Sequence, residues 1–364
     1  MSPTDRDRTF KDRRALVVGG AGFVGATLVR ALLARGVGDV IVVDNFLSSE
    51  PSAIPDDPRV TLIDRSITDP AALEALPATI DHVWHLATYH GNQSSIADPL
   101  ADHANNLLPS LVLFDHLARR CEVGAVVYAG AGCAAAAKMV DDAEATREDA
   151  PLAREHDSPY SISKIVGELY GAYFHRQAGL PFVTARFQNV YGPGETLGAG
   201  RWRGTPHTVW RNVTPTFVFR ALHGEALRLE GGGRATRDFI YVEDVAEGLL
   251  RCAAFGEPGG VYNIASGVET SIRALADAIV AEAGSTTPHD IVEARDWDRS
   301  LARFGDPSKA KAEIGFAAST PLALGLERTV AWTRDNLAMI RACMARHVGS
   351  VPEVARYLDE GASR

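Results

Sequence analysis

Short runs of consecutive apolar residues alternate along this chain with longer stretches in which apolar positions recur every three or four residues. The runs are Ala15-Leu16-Val17-Val18, Val40-Ile41-Val42-Val43, Val60-Thr61-Leu62-Ile63, His82-Val83-Trp84-His85-Leu86, Ala125-Val126-Val127-Tyr128 and Phe182-Val183-Thr184-Ala185. Strands that are apolar throughout must be covered on both faces, so this pattern predicts a doubly wound parallel sheet of the α/β class. Helical spacing at 26–33 and helix-length segments near 70–76, 99–120 and 158–177 supply the covering layers. After Tyr191-Gly192-Pro193-Gly194 the pattern loosens. Residues 195–212 are rich in Gly and Arg, carry Trp202 and Trp210, and read as a long ordered loop. Helices follow near 215–223, 272–283 and 322–345, with a turn at Gly231-Gly232-Gly233 and a strand and helix over 239–254.

At 364 residues the chain exceeds what one core usually serves. The expected division is a nucleotide-binding domain at 12–190 with return segments near 237–265, a smaller C-terminal substrate-binding lobe at 191–236 and 266–345, and a tail at 346–364. A net charge of −9 argues against a nucleic-acid partner. Cys121, Cys133, Cys252 and Cys343 are widely separated and lack metal-ligand spacing, which fits a reducing compartment with no structural metal. No apolar stretch reaches the ~20 residues of a membrane span, and the polar start has no signal-peptide core, so a cytoplasmic location and no membrane partner are expected.

The first candidate chemistry lies between the first strand and the first helix, where Gly19, Gly22 and Gly25 fall in Gly19-Gly20-Ala21-Gly22-Phe23-Val24-Gly25. A glycine turn opening a helix lets the backbone approach a pyrophosphate, which then rests on the helix N-terminus. The second apolar run ends in Asp44, about 20 residues beyond the loop, where a carboxylate accepts the ribose hydroxyls of a dinucleotide. The same charge repels a 2′-phosphate, so NAD is expected rather than NADP.

The second lies in Tyr160-Ser161-Ile162-Ser163-Lys164. Tyr and Lys four apart on a helix share a face, and an ammonium beside a phenol favours the phenolate. Such a pair can take a proton from an alcohol while hydride leaves for a bound cofactor.

With these motifs in this order, the chain resembles the extended short-chain dehydrogenase/reductase family, in its branch of NAD-dependent sugar-nucleotide epimerases and dehydratases. The resemblance runs from about Arg14 to Leu326. It includes Ser66-Ile67-Thr68-Asp69, His85-Leu86-Ala87-Thr88, Arg186-Phe187-Gln188-Asn189-Val190-Tyr191-Gly192-Pro193, Arg237-Asp238-Phe239-Ile240-Tyr241-Val242-Glu243-Asp244 and Tyr262-Asn263-Ile264-Ala265. It implies a Rossmann-like fold, a nucleotide-diphosphate sugar as substrate and a homodimer built on helices in 99–120 and 158–177. It further implies that Phe23 and Val24 belong to the pyrophosphate loop, that Asp44 and Asn45 meet the adenosine ribose, and that Ser66 and Ile67 flank adenine. Leu86, Ala87 and Thr88 would line the path to the nicotinamide beside Tyr160 and Lys164. Asn189 would bind the substrate diphosphate, with Arg237 as a clamp and Arg299 or Arg295 as a further nucleotide contact. By position after the fourth strand, His90, Gln93 and Ser94 should border the sugar, and Arg201 and Arg203, with Arg211, suit a loop over a charged or bulky sugar.

The chain departs from the family after the fifth strand. Most relatives carry a Ser or Thr there to hydrogen-bond the reacting hydroxyl; here Ala131 takes the position, followed by Gly132 and Cys133. Gly132 and Cys133 stand where family dehydratases carry an Asp-Glu acid/base pair, which disfavours a 4,6-dehydratase. The expected reaction is 4-epimerisation through transient oxidation at sugar C4. A C3/C5 epimerase using Cys133, a dehydratase, and a non-catalytic homologue that binds NAD and a sugar nucleotide are the alternatives.

Overall fold

The computed structural model describes residues 9–89, 91–132, 144–152, 154–295, 298 and 301–358. Five early strands, β1 (Arg14–Val18), β2 (Asp39–Asp44), β3 (Val60–Asp64), β4 (Thr79–His85) and β5 (Glu122–Ala131), form one parallel sheet with two later ones. Between them run α1 (Phe23–Ala34), α2 (Pro70–Glu74), α3 (Asn92–Ala97), α4 (Pro99–Asp102) and α5 (Leu108–Arg120). After β5 come α6 (Pro159–Ala178), β6 (Phe182–Phe187) and β7 (Asn189–Tyr191). The second half contributes α7 (Val213–Leu222), β8 (Leu227–Glu230), β9 (Thr236–Tyr241), α8 (Val242–Phe255) and β10 (Val261–Ile264). It continues through β11 (Glu269–Ser271), α9 (Ile272–Glu282), β12 (His289–Val292), β13 (Ala302–Arg303), α10 (Ser308–Ile314), α11 (Leu322–Asp335) and α12 (Leu337–Ala345).

The strand order of the seven-stranded sheet is β10-β6-β5-β4-β1-β2-β3. Consecutive residues of its strands feed opposite cores. Val17, Val42, Trp84 and Val127 pack with Leu28 and Leu249 on one face. Leu16, Val18, Ile41, Val43, Val83 and Val126 pack with Leu113, Phe114 and Phe174 on the other. That double burial is why the strands read as unbroken apolar runs. The order reverses between β1 and β4, and the crevice at such a reversal is the usual ligand site of an open α/β sheet.

Of residues 237–265, α8 and β10 lie on this sheet, whereas β9 pairs with β7, β11 and β13 in a small second sheet. A separate core of Phe217, Val218, Leu229, Phe239, Leu275 and Val330 holds the second lobe together. The 195–212 loop is pinned by Leu197, Val209 and Trp210, which pack with Ile340, Met344, Val354 and Tyr357, and Trp210 Nε1 donates to Glu353 at 2.8 Å. The chain after Ala345 thus contributes to a core as far as Tyr357. Among the described residues no helix is long and apolar enough to cross a membrane.

Candidate active site

The loop after β1 is shaped by contacts that leave no space for side chains. Gly19 has φ +86°, and a Cβ there would lie 2.5 Å from Ala87 N. A Cβ on Gly25 would lie 2.2 Å from the Gly19 carbonyl oxygen. The loop therefore folds tightly between β1 and the segment after β4, with the N-terminus of α1 opening into the crevice. Asp44, at the end of β2, is buried and braces it. Its Oδ2 accepts from Ala21 N at 2.9 Å, and Oδ1 accepts from Phe46 N and Ser49 Oγ, both at 2.9 Å. Burial pushes this carboxyl upward, against the downward pull of the amide and hydroxyl donors. Three donors take three of the carboxylate's roughly four lone-pair directions, so one remains for a ligand hydroxyl.

One continuous cleft is lined by Gly19, Gly22, Phe23, Val24, Gly25, Asp44, Asn45, Ser66, Ile67, Leu86, Ala87, Thr88, Lys164 and Asn189. The structure thus gathers residues scattered over 170 positions of sequence on one wall at the strand carboxyl ends. Cradling glycines, a helix N-terminus and a buried carboxylate with an open lone pair fit an NAD molecule laid along the cleft.

The far end of the cleft is built on α6. Ser158 caps this helix by accepting from Ser161 N at 3.3 Å. It also donates to Asn92 Oδ1 at 2.9 Å, while Tyr160 N donates to Ser95 Oγ at 3.1 Å, so α3 and the start of α6 are tied together. Gly167 and Gly171 let α6 approach the sheet: a Cβ on either would meet Tyr128 Oη at 2.3 Å or Phe182 Cζ at 1.9 Å. That closeness brings Lys164 Nζ, a buried ammonium, to 3.0 Å from the Ala129 carbonyl and 5.8 Å from the Tyr160 ring centre. Ala131 is buried against Ile165 and Tyr160, so the position lacking a hydroxyl does adjoin the tyrosine.

Behind the pair stands a buried polar chain that the sequence did not announce. Ser163 Oγ donates to Asp102 Oδ2 at 2.5 Å, and Asp102 Oδ1 accepts from Asn106 Nδ2 at 2.6 Å. Asn106 Oδ1 in turn accepts from Thr88 Oγ1 at 3.0 Å and Tyr89 N at 2.7 Å. This links α6 to the cleft wall after β4, and burial raises the Asp102 carboxyl. His85 Nε2 lies 3.0 Å from Ser110 Oγ, and burial, with the Lys164 charge added, pushes its imidazole down to about 3. It is therefore neutral in the folded protein.

The remaining predicted residues are more dispersed. Ser94 is buried, 3.4 Å from Thr205 Oγ1, and Gln93 is half-buried on α3. Arg201 donates to the Asn45 carbonyl, and the buried Arg203 donates to Ser48 Oγ; both reach the 45–48 loop beside Asp44. Arg211 joins them through the Ser48 carbonyl at 2.7 Å, and like-charge crowding adds to burial in lowering Arg203 to about 9. Glu195, Arg211 and Asn212 face the same cleft; burial pushes the Glu195 carboxyl up to about 7. Arg237 does not line this cleft: its Nη2 donates to Asp298 Oδ2 at 2.8 Å, and Asp298 also binds Arg303. Arg295 pairs with Glu230. Cys133, His90 and Arg299 lie outside the described residues.

The sequence profile of the NAD dependent epimerase/dehydratase family matches residues 15–265. The chain belongs to this family. Among its members, a UDP-glucose 4-epimerase of Mycolicibacterium smegmatis is 31% identical over 89% of this chain and 99% of its own. A dTDP-glucose 4,6-dehydratase of Streptomyces antibioticus is 30% identical over 92% of this chain and 96% of its own. A crystal structure of the Bordetella bronchiseptica enzyme WbmF with NAD+ and UDP is 53% identical, covers 94% of this chain and 98% of that one, and superposes with a TM-score of 0.84. The same enzyme has been crystallised with NADH. As an NAD-dependent epimerase/dehydratase, the chain takes NAD as its cofactor, and the seven-stranded Rossmann-type sheet is the family fold.

Proposed function

We propose that this protein is a nucleotide-sugar 4-epimerase that acts on a UDP-sugar through a transient 4-keto form. The observation that carries this reading is the end of β5. Lys164 lines the cleft and Tyr160 stands next to it, its ring centre 5.8 Å from Lys164 Nζ, whereas Gly132, where family dehydratases have a carboxylate, offers no side chain. The space beside it is filled, because a Cβ on Gly132 would lie 2.1 Å from Gln188 Nε2. A proton can therefore be handled at the sugar oxygen, while one member of the pair that expels water from C5 and C6 is missing.

In this reading Gly19, Gly22, Phe23, Val24 and Gly25 hold the cofactor pyrophosphate, Asp44 and Asn45 its ribose, Ser66 and Ile67 its adenine, and Leu86, Ala87 and Thr88 its nicotinamide end. Bound NAD supplies the hydride acceptor and donor at C4. Tyr160 takes the C4 hydroxyl proton and gives it back to the same oxygen after the sugar has turned over, so the substrate gains and loses nothing. Lys164 keeps a positive charge beside the base. Asn189, on the cleft wall, binds the substrate diphosphate, and the UDP held by WbmF supports a uridine nucleotide.

Incubation with UDP-, GDP-, CDP- and dTDP-sugars in deuterium oxide, read by mass spectrometry and NMR, tests the reaction. The expected product is a 4-epimer of a UDP-sugar at unchanged mass. A mass loss of one water would instead identify a dehydratase, and carbon-bound deuterium would identify a C3/C5 epimerase that recruits Cys133.

The protein is also proposed to act as a homodimer. Leu100, Ile162, Leu169 and Tyr173 are 82%, 49%, 52% and 52% exposed on α4 and α6, next to α5, which is more apolar surface than a free helix pair should show water. Sedimentation velocity should give a dimer, and Leu169→Glu should shift it to monomer. A monomeric wild type would end this proposal.

A further inference from the structure

Gln188 joins β6 to β7, and its side chain lines the cleft together with Ala129, Gly130, Lys164 and Asn189. Two glycines make room for it. A Cβ on Gly132 would lie 2.1 Å from Gln188 Nε2, and one on Gly305 would lie 2.7 Å from the same atom. The carboxamide makes no hydrogen bond to any described residue, so its donors and acceptor are open to whatever enters the cleft. The site is also where a polar group is wanted. Ala131 touches Tyr160 but carries only a methyl group, and the next residue, just past the end of β5, is Gly132, whose side-chain space Gln188 occupies.

We propose that Gln188 hydrogen-bonds the reacting oxygen of the sugar, replacing the hydroxyl absent at Ala131. The proposal rests on Tyr160 being the base. A carboxamide suits both forms of that oxygen: Oε1 accepts from an alcohol, and Nε2 donates to a carbonyl. It neither gains nor loses a proton in doing so, which leaves proton transfer to Tyr160 alone. A serine hydroxyl could pass a proton along; this amide positions the oxygen and polarises the carbonyl without that option. Specificity follows as well, because the amide reaches the cleft from β6 and not from β5, and so approaches the ring from a different strand.

The test is steady-state kinetics of Gln188→Leu, which keeps the bulk and removes the hydrogen-bonding groups, and of Gln188→Ala. Both should lower kcat/KM by roughly 10- to 100-fold, the cost of one hydrogen bond to the reacting group, chiefly through kcat. NAD content and melting temperature should stay at wild-type values. Adding Ala131→Ser to Gln188→Ala should recover at least part of the loss, which a residue that only fills space would not allow. Gln188→Leu with kcat/KM within about twofold of wild type, measured where Tyr160→Phe is inactive, would overturn the role of Gln188 and leave the base intact. Loss of NAD in both Gln188 variants would mark a structural residue and overturn it equally. An active Tyr160→Phe would instead remove the reading on which the proposal stands.

Discussion

Tyr160→Phe is expected to lower turnover by roughly 10²- to 10⁴-fold, the usual worth of a positioned general base, while the purified protein keeps its NAD and its melting temperature. The separation between chemistry and structure follows from what the residue touches. Its backbone N–H, which the substitution retains, is the group that binds Ser95. Its ring packs against Ala131 and Ile165, and phenylalanine preserves that packing. Lys164 Nζ keeps its bond to the Ala129 carbonyl, which does not involve the substituted residue. Only the phenolic oxygen is lost, and with it the group proposed to exchange a proton with the substrate. Substrate turnover followed beside cofactor absorbance decides the matter: activity within a few-fold of wild type would show that the proton goes elsewhere, and the non-catalytic alternative would be supported if the wild type is itself inert.

The parts of this site that sequence made legible are those in which one local segment carries the whole signal. The glycine loop, Asp44 and the Tyr160/Lys164 pair each sit on a run whose periodicity fixes strand or helix, and the sheet then brings their ends together. What remained hidden depends on contacts between distant segments. Residues 99–120 read as one helix, but α4 and α5 are joined by a π-helical turn at His103–Leu107. That extra residue per turn directs Asn106 inward to Thr88 and Tyr89, and no apolar spacing marks it because His103-Ala104-Asn105-Asn106 is largely polar. Helix α3 was equally invisible: Asn92-Gln93-Ser94-Ser95 has weak helical preference and is held by Ser158 and Tyr160 at the start of α6. Likewise 322–345 divides at Asn336 into α11 and α12. Arg201 and Arg203 illustrate the converse, since composition marks their loop as a cover but says nothing of the hydrogen bonds that tie it to residues 45–48 beside Asp44.

Gly25→Ala should be nearly as damaging to the protein as Tyr160→Phe is to the reaction, by a different route. Gly25 lies inside α1 and does not have positive φ, so on helix preference alone alanine would stabilise it by about 0.5–1 kcal/mol. Sterics reverse the sign. The new Cβ would stand 2.2 Å from the Gly19 oxygen and 2.8 Å from Gly20 Cα, and neither is the movable end of a side chain. Relief requires the loop to swing away from α1, which breaks the Gly22 N–H to Gly19 carbonyl bond of 3.2 Å and opens the loop proposed to cradle the pyrophosphate. A cost on the order of 3 kcal/mol is expected, together with loss of bound NAD, which lowers apparent stability further because the cofactor binds only the folded form. Gly179→Ala is the control. It has φ +69° at the C-terminal end of α6, and a Cβ there meets nothing within 4 Å, so only the left-handed backbone penalty of about 1–2 kcal/mol applies and NAD should be retained. Thermal melts and cofactor content of the two variants side by side separate crowding at the nucleotide loop from the general cost of replacing a glycine; a Gly25→Ala protein that melts with wild type and carries full NAD would contradict the tight loop described here.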